Sequence, residues 1–228
     1  MVDASPRFFV VGTPIGNLGD MTFRAVDILK SVDLIFCEDT RHSLKLLNHY
    51  EIKKPLRSCP YFKERQVSGD LVEALGEGKK IAYLTDAGTP NLSDPGATLV
   101  KEVRKAGFAV EVVGGVSALT YFMAGLGEDL ESFTFMGFLP AKSVQRVRLI
   151  QAGVGVPTVF FESPHRIEAT LKIFEKERPQ TRLILAKELS KISERFFAGT
   201  AVELLKNIPS WKGEWVGLWF SEDSHVDS

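Results

Sequence analysis

Two stretches of this chain join glycine and proline corners to carboxylates, VGTPIGNLGD at 11–20 and TDAGTPNLSDPG at 85–96, and a third, GGVSA at 114–118, is a glycine corner without either. Glycine and proline either tighten a turn or let another molecule approach the backbone. The first stretch matches a dinucleotide fingerprint only loosely, because Pro14 stands where G-x-G-x-x-G needs its second glycine. Nor is it a phosphate-cradling P-loop, since no Gly-Lys-Ser/Thr follows. None of the three contains lysine or arginine; they carry Asp20, Asp86, Asp94 and backbone carbonyls. Such a lining suits a cationic or polar neutral ligand better than a polyphosphate. The competing reading is a set of tight strand-to-helix turns whose aspartates cap helices.

Elements must deliver these corners to one place. Short apolar runs alternate with helical patterns: strand Arg7–Val11, helix Thr22–Lys30 (Phe23, Val26 and Leu29 on one face) and strand Asp33–Cys37. A basic stretch intervenes, then a helix near Gly69–Leu75, strand Ile81–Leu84, helix Ala97–Ala106 and strand Ala109–Val113. Buried runs alternating with amphipathic helices predict βα units and a mainly parallel sheet. Gly78 and Gly107 mark helix ends.

The stretch Ala124–Asp129 reads as a boundary, giving domains 1–125 and 126–228. Beyond it come strands Phe133–Gly137, Thr158–Phe161, Arg182–Ala186, Ile192–Phe197 and Trp215–Phe220, with helices near Ser143–Ala152, Arg166–Glu177 and Val202–Asn207. Closely spaced strands predict a mixed second sheet. The expected architecture is two α/β domains with a cleft between them. Ligands in such folds sit outside the carboxyl ends of strands, where the glycine and proline corners fall. S-adenosylmethionine, with its sulfonium and ammonium groups, fits a lining of this kind.

At 228 residues and 44% hydrophobic, the chain has length and apolar content for a real core. No apolar run reaches membrane-spanning length, and MVDASPRFFVVG lacks the charged start and long apolar core of a signal peptide. Two cysteines, Cys37 and Cys59, cannot build a disulfide framework or a cysteine-rich zinc site. The expected compartment is the reducing cytoplasm, with Cys37 a buried strand thiol. The formal net charge of −1 does not announce a nucleic-acid binder, but its distribution is uneven. Arg41, Lys45, Lys53, Lys54, Arg57, Lys63 and Arg65 face only Glu51 and Glu64, with Tyr50, Tyr61 and Phe62 interleaved. Lys142, Arg146 and Arg148 form a second basic segment. Two readings stay open: solvated faces, or a phosphate-tracking surface with bases stacked on aromatics.

Taken in order, VGTPIGNLGD, CEDTR (37–41), TDAGTPNLSDPG, FESPHR (161–166) and KELSK (187–191), with Lys212-Gly213-Glu214 before the last strand, carry a resemblance across nearly the whole chain. The sequence resembles the bacterial small-subunit ribosomal RNA cytidine 2′-O-methyltransferases of the tetrapyrrole-methylase superfamily. The resemblance implies a two-domain α/β fold, a homodimer, no membrane association and S-adenosylmethionine in the interdomain cleft. The implied partner is 16S rRNA within the small ribosomal subunit. Positions implied for the cofactor are Pro14, Asp86, Gly88, Thr89, Ser117 and Ala118, with Gly199 and Thr200 approaching the adenine. The chain departs from the family pattern at Gly114–Ala118, where Pro-Gly-Pro-Ser-Ala is usual, at Lys187 (usually arginine) and at Thr85 (usually serine). Many relatives continue past the position of Ser228 with a small helical segment.

Methyl transfer from a sulfonium is an in-line displacement, so positioning supplies much of the rate. A ribose hydroxyl is a poor nucleophile and needs a base, or a cation that stabilises the developing alkoxide. The motifs offer Glu38, Asp39, Glu162 and Glu188 as carboxylates, His165 as their only histidine, and Lys187 and Lys191 as cations. Arg41, Lys45, Arg57, Lys63, Arg65 and Arg166 are the expected RNA contacts, with no metal required. Each has a plainer alternative: Glu38 and Asp39 as helix caps, His165-Arg166 as a solvated first turn, and Lys187, Glu188 and Lys191 as an exposed salt-bridge cluster. Two rival functions share the cofactor corners: a tetrapyrrole C-methyltransferase, and a non-catalytic module that binds S-adenosylmethionine or RNA.

Overall fold

A computed structural model describes residues 8–220. Arg7, expected to open the first strand, lies outside them. The chain divides into two compact units, the first ending at Ser117 and the second beginning at Ala118. That division falls ahead of the helix Ala118–Gly125, some residues upstream of the Ala124–Asp129 stretch.

The first unit is a five-stranded sheet in the order β3-β2-β4-β1-β5, built from β1 (Phe8–Val11), β2 (Leu34–Cys37), β3 (Leu56–Ser58), β4 (Ile81–Leu84) and β5 (Val110–Val113). Every pairing is parallel. The central strands are apolar at every residue because both faces are covered. Helices α1 (Phe23–Ser31) and α2 (Thr40–His49) place Ala25, Leu29 and Leu47 on one face, against Phe9, Val11, Ile35 and Cys37. Helices α3 (Glu64–Gly76) and α4 (Ala97–Lys105) place Leu71, Leu75, Leu99 and Val103 on the other, against Phe8, Val10, Phe36 and Tyr83. Successive residues of β1 thus feed opposite cores, the two-residue period of a strand.

In the second unit the sheet order is β6-β7-β10-β8-β9, from β6 (Thr134–Phe138), β7 (Thr158–Glu162), β8 (Arg182–Lys187), β9 (Arg195–Thr200) and β10 (Trp215–Trp219). Only β6 and β7 pair in parallel; β10 runs antiparallel between β7 and β8, so the sheet is mixed. Its core gathers Phe160, Leu183, Trp215 and Trp219 with Ile150 of α6 (Ser143–Ala152), Leu171 and Phe174 of α7 (Ile167–Glu177) and Leu204 of α8 (Ala201–Asn207). The rings of Phe160 and Phe174 lie 5.3 and 5.4 Å from that of Trp219. Helix α5 (Ala118–Gly125) stacks Phe122 on Phe196 with 6.0 Å between centroids.

Three expectations change. β3 was not expected, since Leu56-Arg57-Ser58 carries no apolar run; it is recruited by pairing with β2. Helix α5 was not expected either. The strand expected at Ile192–Phe197 begins instead at Arg195, because Glu188 and Ser190 adopt left-handed backbone (φ 55° and 64°) and fold Lys191–Glu194 into a turn that leaves Ile192 fully exposed. Among the described residues, no helix is long and apolar enough to cross a membrane.

Candidate active site

In the first sheet the motif strands finish level with one another. Cys37 pairs with Ser58 on one side and Leu84 on the other, while Val11 pairs with Val113. Glu38, Thr85, Gly12 and Gly114 therefore leave the same edge of the sheet. Helix α1 follows β1 onto one face and α4 follows β4 onto the other, which makes the β1/β4 boundary the topological switch point. The corners there are locked together. Thr13 and Gly88 exchange backbone hydrogen bonds of 2.8 and 3.1 Å, and the Thr13 hydroxyl donates to the Thr85 carbonyl at 3.4 Å. Thr89 Oγ1 donates to the Val116 carbonyl at 3.4 Å, tying the second corner to the third. Pro14 and Ser117 are buried, and Ala118 begins α5.

Gly12 and Gly115 touch backbone to backbone. A Cβ on Gly12 would lie 2.9 Å from the Gly115 nitrogen, and one on Gly115 would lie 3.0 Å from the Gly12 carbonyl carbon. Glycine is required at that pair by space. At Gly96 (φ 122°) it is required by conformation and by the Tyr83 ring, from which a Cβ would stand only 2.7 Å away.

The carboxylates at this edge form a cross-brace. The Asp86 backbone N–H donates to the Glu38 carboxylate, and the Asp39 N–H donates to Asp86 Oδ1 at 3.2 Å. Burial, then the charge of Asp86, raises the Glu38 pKa. Burial, then Glu38 and Asp86, pushes Asp94 up to about 7. Among the described residues no lysine or arginine forms an ion pair with Glu38, Asp86 or Asp94. Beneath them the Tyr83 hydroxyl is buried without a hydrogen-bond partner, and burial together with Cys59, Glu64 and Glu38 raises its pKa. Asp39 behaves differently. It caps α2 through the Arg41 N–H at 2.8 Å and grips the Arg41 guanidinium at 3.2 and 2.7 Å, which holds its pKa down at about 2.

The second sheet also gathers its motifs on one edge. Trp215 pairs with Glu162 and with Lys187, and Lys187 pairs with Arg195, so FESPHR, KELSK and the entry to β10 lie side by side. Glu162 and Lys187 stand two strands apart, about 10 Å. The Glu162 carboxylate is buried and fully engaged: it accepts from the Ser163 N–H (2.9 Å) and the Thr170 hydroxyl (2.9 Å) and pairs with Arg166 at 2.6 Å. His165 is exposed at the start of the following turn. Lys187 Nζ donates to the Ser210 carbonyl at 3.2 Å and sits 5.6 Å from the Trp215 ring. Glu188 accepts from the Glu214 N–H (2.9 Å) and Lys191 (3.0 Å), and Lys191 also reaches Glu214 at 2.8 Å. Although burial alone would raise the Glu188 pKa, these donors hold it down, and the two carboxylates raise Lys191. Gly199 (φ 150°) precedes Thr200, whose hydroxyl and N–H are both joined to Glu203 in a capping box on α8.

Of the expected RNA contacts, Lys45, Lys63 and Arg65 are exposed, as is Arg41 despite its grip on Asp39. Arg57 approaches Asp70 at 3.6 Å. Arg146 is not a solvated cation: it is buried and donates to the Pro140 carbonyl at 2.9 Å, which folds the loop before α6 onto that helix. Glu64, passed over as a minor acid in a basic stretch, is buried and accepts from the Gly96 and Thr98 N–H groups at 2.6 and 3.1 Å, so it caps α4 from α3. No local signal marks it, because its partners lie more than thirty residues downstream.

Residues 7–205 match the family model of the tetrapyrrole (corrin/porphyrin) methylases. The chain is 43% identical over 198 residues to ribosomal RNA small subunit methyltransferase I of Neisseria meningitidis serogroup B, covering 86% of this chain and 68% of that one. It is 40% identical over 208 residues to the protein of the same name from Thermotoga maritima, covering 90% and 93%. Among solved structures, diphthine synthase superposes with a TM-score of 0.72 at 13% identity (94% and 90% covered). Uroporphyrin-III-C-methyltransferase from Thermus thermophilus superposes at 0.66 and 19% (93% and 94%), and both speak to the fold alone. With this edge geometry, the family match and 40% identity along nearly the full length of a named relative, the chain belongs to the tetrapyrrole methylase family, among its ribosomal RNA small subunit methyltransferase I members.

Proposed function

We propose that this protein is an S-adenosylmethionine-dependent methyltransferase that methylates the ribose 2′-hydroxyl of a cytidine in 16S rRNA, acting in the cytoplasm on the small ribosomal subunit as a homodimer. The observation that carries the reading is the 40% identity to a small-subunit rRNA methyltransferase over 90% of this chain and 93% of the relative. The geometry supports it: the switch-point corners offer carboxylates and carbonyls without a cation, a donor set that fits a sulfonium and an ammonium and repels polyphosphate.

The residues proposed to hold the donor are Pro14, Asp86, Gly88, Thr89, Ser117 and Ala118, with Gly199 and Thr200 assigned to the adenine. When bound, the donor supplies an electrophilic methyl group. Asp86, with Glu38 and Asp94, attracts its positive charge, and the Gly12–Gly115 contact keeps side chains out of the corner. The acceptor hydroxyl must lose a proton, and a base serves best when its pKa lies near the working pH. Glu38 and Asp94, both raised, meet that requirement better than Asp39, held at about 2 in its cap, or Glu162, whose oxygens are engaged by Ser163, Thr170 and Arg166. Lys187, Lys191 and His165 remain proposed as groups that steady the developing alkoxide, with Glu188 orienting Lys191. Arg41, Lys45, Arg57, Lys63, Arg65 and Arg166 are assigned to RNA phosphates.

The test is transfer of labelled methyl from S-adenosylmethionine to small subunits lacking the modification, followed by digestion to nucleosides. Label in 2′-O-methylcytidine is the expected result. Label only in an added porphyrinoid, or donor binding without transfer to either, would reject the proposal in favour of a tetrapyrrole C-methyltransferase or a binding module respectively.

A further inference from the structure

Between β3 and α3 the chain turns through a short 3-10 helix, Tyr61–Lys63, and presents two adjacent aromatic rings to solvent: Tyr61 is 75% exposed and Phe62 80%. Burying a ring of this size stabilises a fold by about 1.5–3 kcal/mol. A single exposed aromatic is ordinary, but here two neighbouring rings forgo that gain on a corner that is itself held firmly. On one side Cys59 is buried, and its N–H donates to the Cys37 carbonyl at 2.7 Å. On the other, Glu64 is buried and bonded to the Gly96 and Thr98 N–H groups. The Lys63 N–H closes the turn on the Pro60 carbonyl at 2.8 Å. The rings are therefore displayed from a fixed frame, so little freedom is lost when something stacks on them.

Their surroundings define that partner. Lys63 Nζ lies 5.9 Å from the Phe62 ring centroid, and exposed Arg65 follows at once. Because Cys37 pairs with Ser58, the corner leaves the sheet one strand from the Glu38-Asp39-Arg41 turn, on the edge that carries the carboxylates. Flat apolar faces among cations are the chemistry of single-stranded nucleic acid, in which bases stack and phosphates pair. A folded duplex, whose bases are already stacked on one another, offers such rings no free base face, and the neighbouring cations favour a nucleic-acid strand over an apolar protein surface.

We infer that Tyr61 and Phe62 form a stacking platform for unpaired bases flanking the methylated nucleotide, with Lys63, Arg65 and Arg41 holding the phosphates between them. The inference rests on the RNA reading above and adds to it the form of the substrate: a splayed single strand.

The experiment measures anisotropy of a fluorescently labelled single-stranded RNA oligonucleotide, and of a duplex of equal length, against the intact protein and its Tyr61→Ala, Phe62→Ala and Phe62→Trp variants. Base stacking on one ring is worth about 1–3 kcal/mol, so each alanine variant is expected to weaken single-strand binding roughly five- to hundredfold. Phe62→Trp should retain it, and donor uptake by calorimetry should not change. Equal single-strand affinity in all four proteins would overturn the platform, as would equal losses on strand and duplex. So would a fall in sedimentation mass on alanine substitution, which would make the corner a self-association surface. Should small subunits accept no methyl group while ring-dependent strand binding persists, the methylation reading falls and the platform stands. Transfer that proceeds with ring-independent binding has the opposite consequence.

Discussion

At the carboxyl edge of the first sheet burial and neighbouring carboxylates raise Glu38 and Asp94, which have no cationic partner among the described residues; at the equivalent edge of the second, Glu162 and Glu188 each hold a cation and further donors. Both sets come from motifs of the same kind, yet they have opposite electrostatics. Charges that build structure are paired, because an unpaired buried charge is expensive. Charges left uncompensated are strained in the free protein and relieved when a cation arrives, which is how perturbed pKa values cluster at functional sites. The first edge thus has the electrostatics that the proposed donor site requires, and the second those of a paired scaffold.

Breaking the paired edge should have the largest effect. Glu162→Ala leaves the buried Thr170 hydroxyl without its acceptor and removes the buried counter-charge of the partly exposed Arg166 guanidinium. Chemical denaturation should show a loss of about 3–5 kcal/mol, with Glu162→Gln recovering part of it through Thr170. A loss below about 1 kcal/mol, the range of an exposed pair, would mean that the carboxylate is not structural. Next comes Gly12→Ala, whose methyl meets Gly115 backbone at 2.9 Å. Overpacking of this kind costs about 1–3 kcal/mol, and donor affinity should fall with it because the corner itself must open.

Asp94→Asn should reverse the pattern of Glu162→Ala. Asp94 keeps its proton up to about pH 7 in the folded chain but only to about pH 4 when unfolded. Within that window the folded state holds more protons, so stability contributed by this group is present at acid pH and lost as pH rises through 7. The variant should therefore show a flatter profile of melting temperature between about pH 4 and 7 and be no less stable than its parent at about pH 8. Donor affinity should rise with pH from about 6 to 8 in the parent and stay flat, and about tenfold weaker at the upper end, in the variant. A variant that loses stability in alkaline buffer would show that Asp94 is paired after all. The smallest effect on stability belongs to Lys191→Ala. Its ion pairs with Glu188 and Glu214 are partly open to solvent, so the loss should stay within about 1 kcal/mol, measured by denaturation beside a methyl-transfer assay.

Much of this was legible beforehand. The alternating apolar runs of the first unit announced a parallel sheet, and α6, Ser143–Ala152, falls where its pattern placed it. β3 was not legible, because three residues with one leucine form a strand only when β2 supplies the partner. The turn at 188–194 was hidden for a different reason: Glu188 and Ser190 take left-handed backbone without being glycine, held there by the Glu194 carboxylate on the Ser190 N–H at 2.6 Å.

Chain chemistry alone determined which residue types stand at the corners: small residues and aspartates without lysine or arginine, in motifs whose order identifies the family. Types and spacing are properties of the covalent chain and survive without a fold. Whether a given acid is bare or paired was decided only by tertiary structure. Glu38 and Asp39 are neighbours in sequence, yet one is raised by burial and by Asp86 on the adjacent strand's exit, and the other is neutralised by the Arg41 it caps. Coulomb energy and desolvation depend on distance and burial in space, and strand pairing sets both.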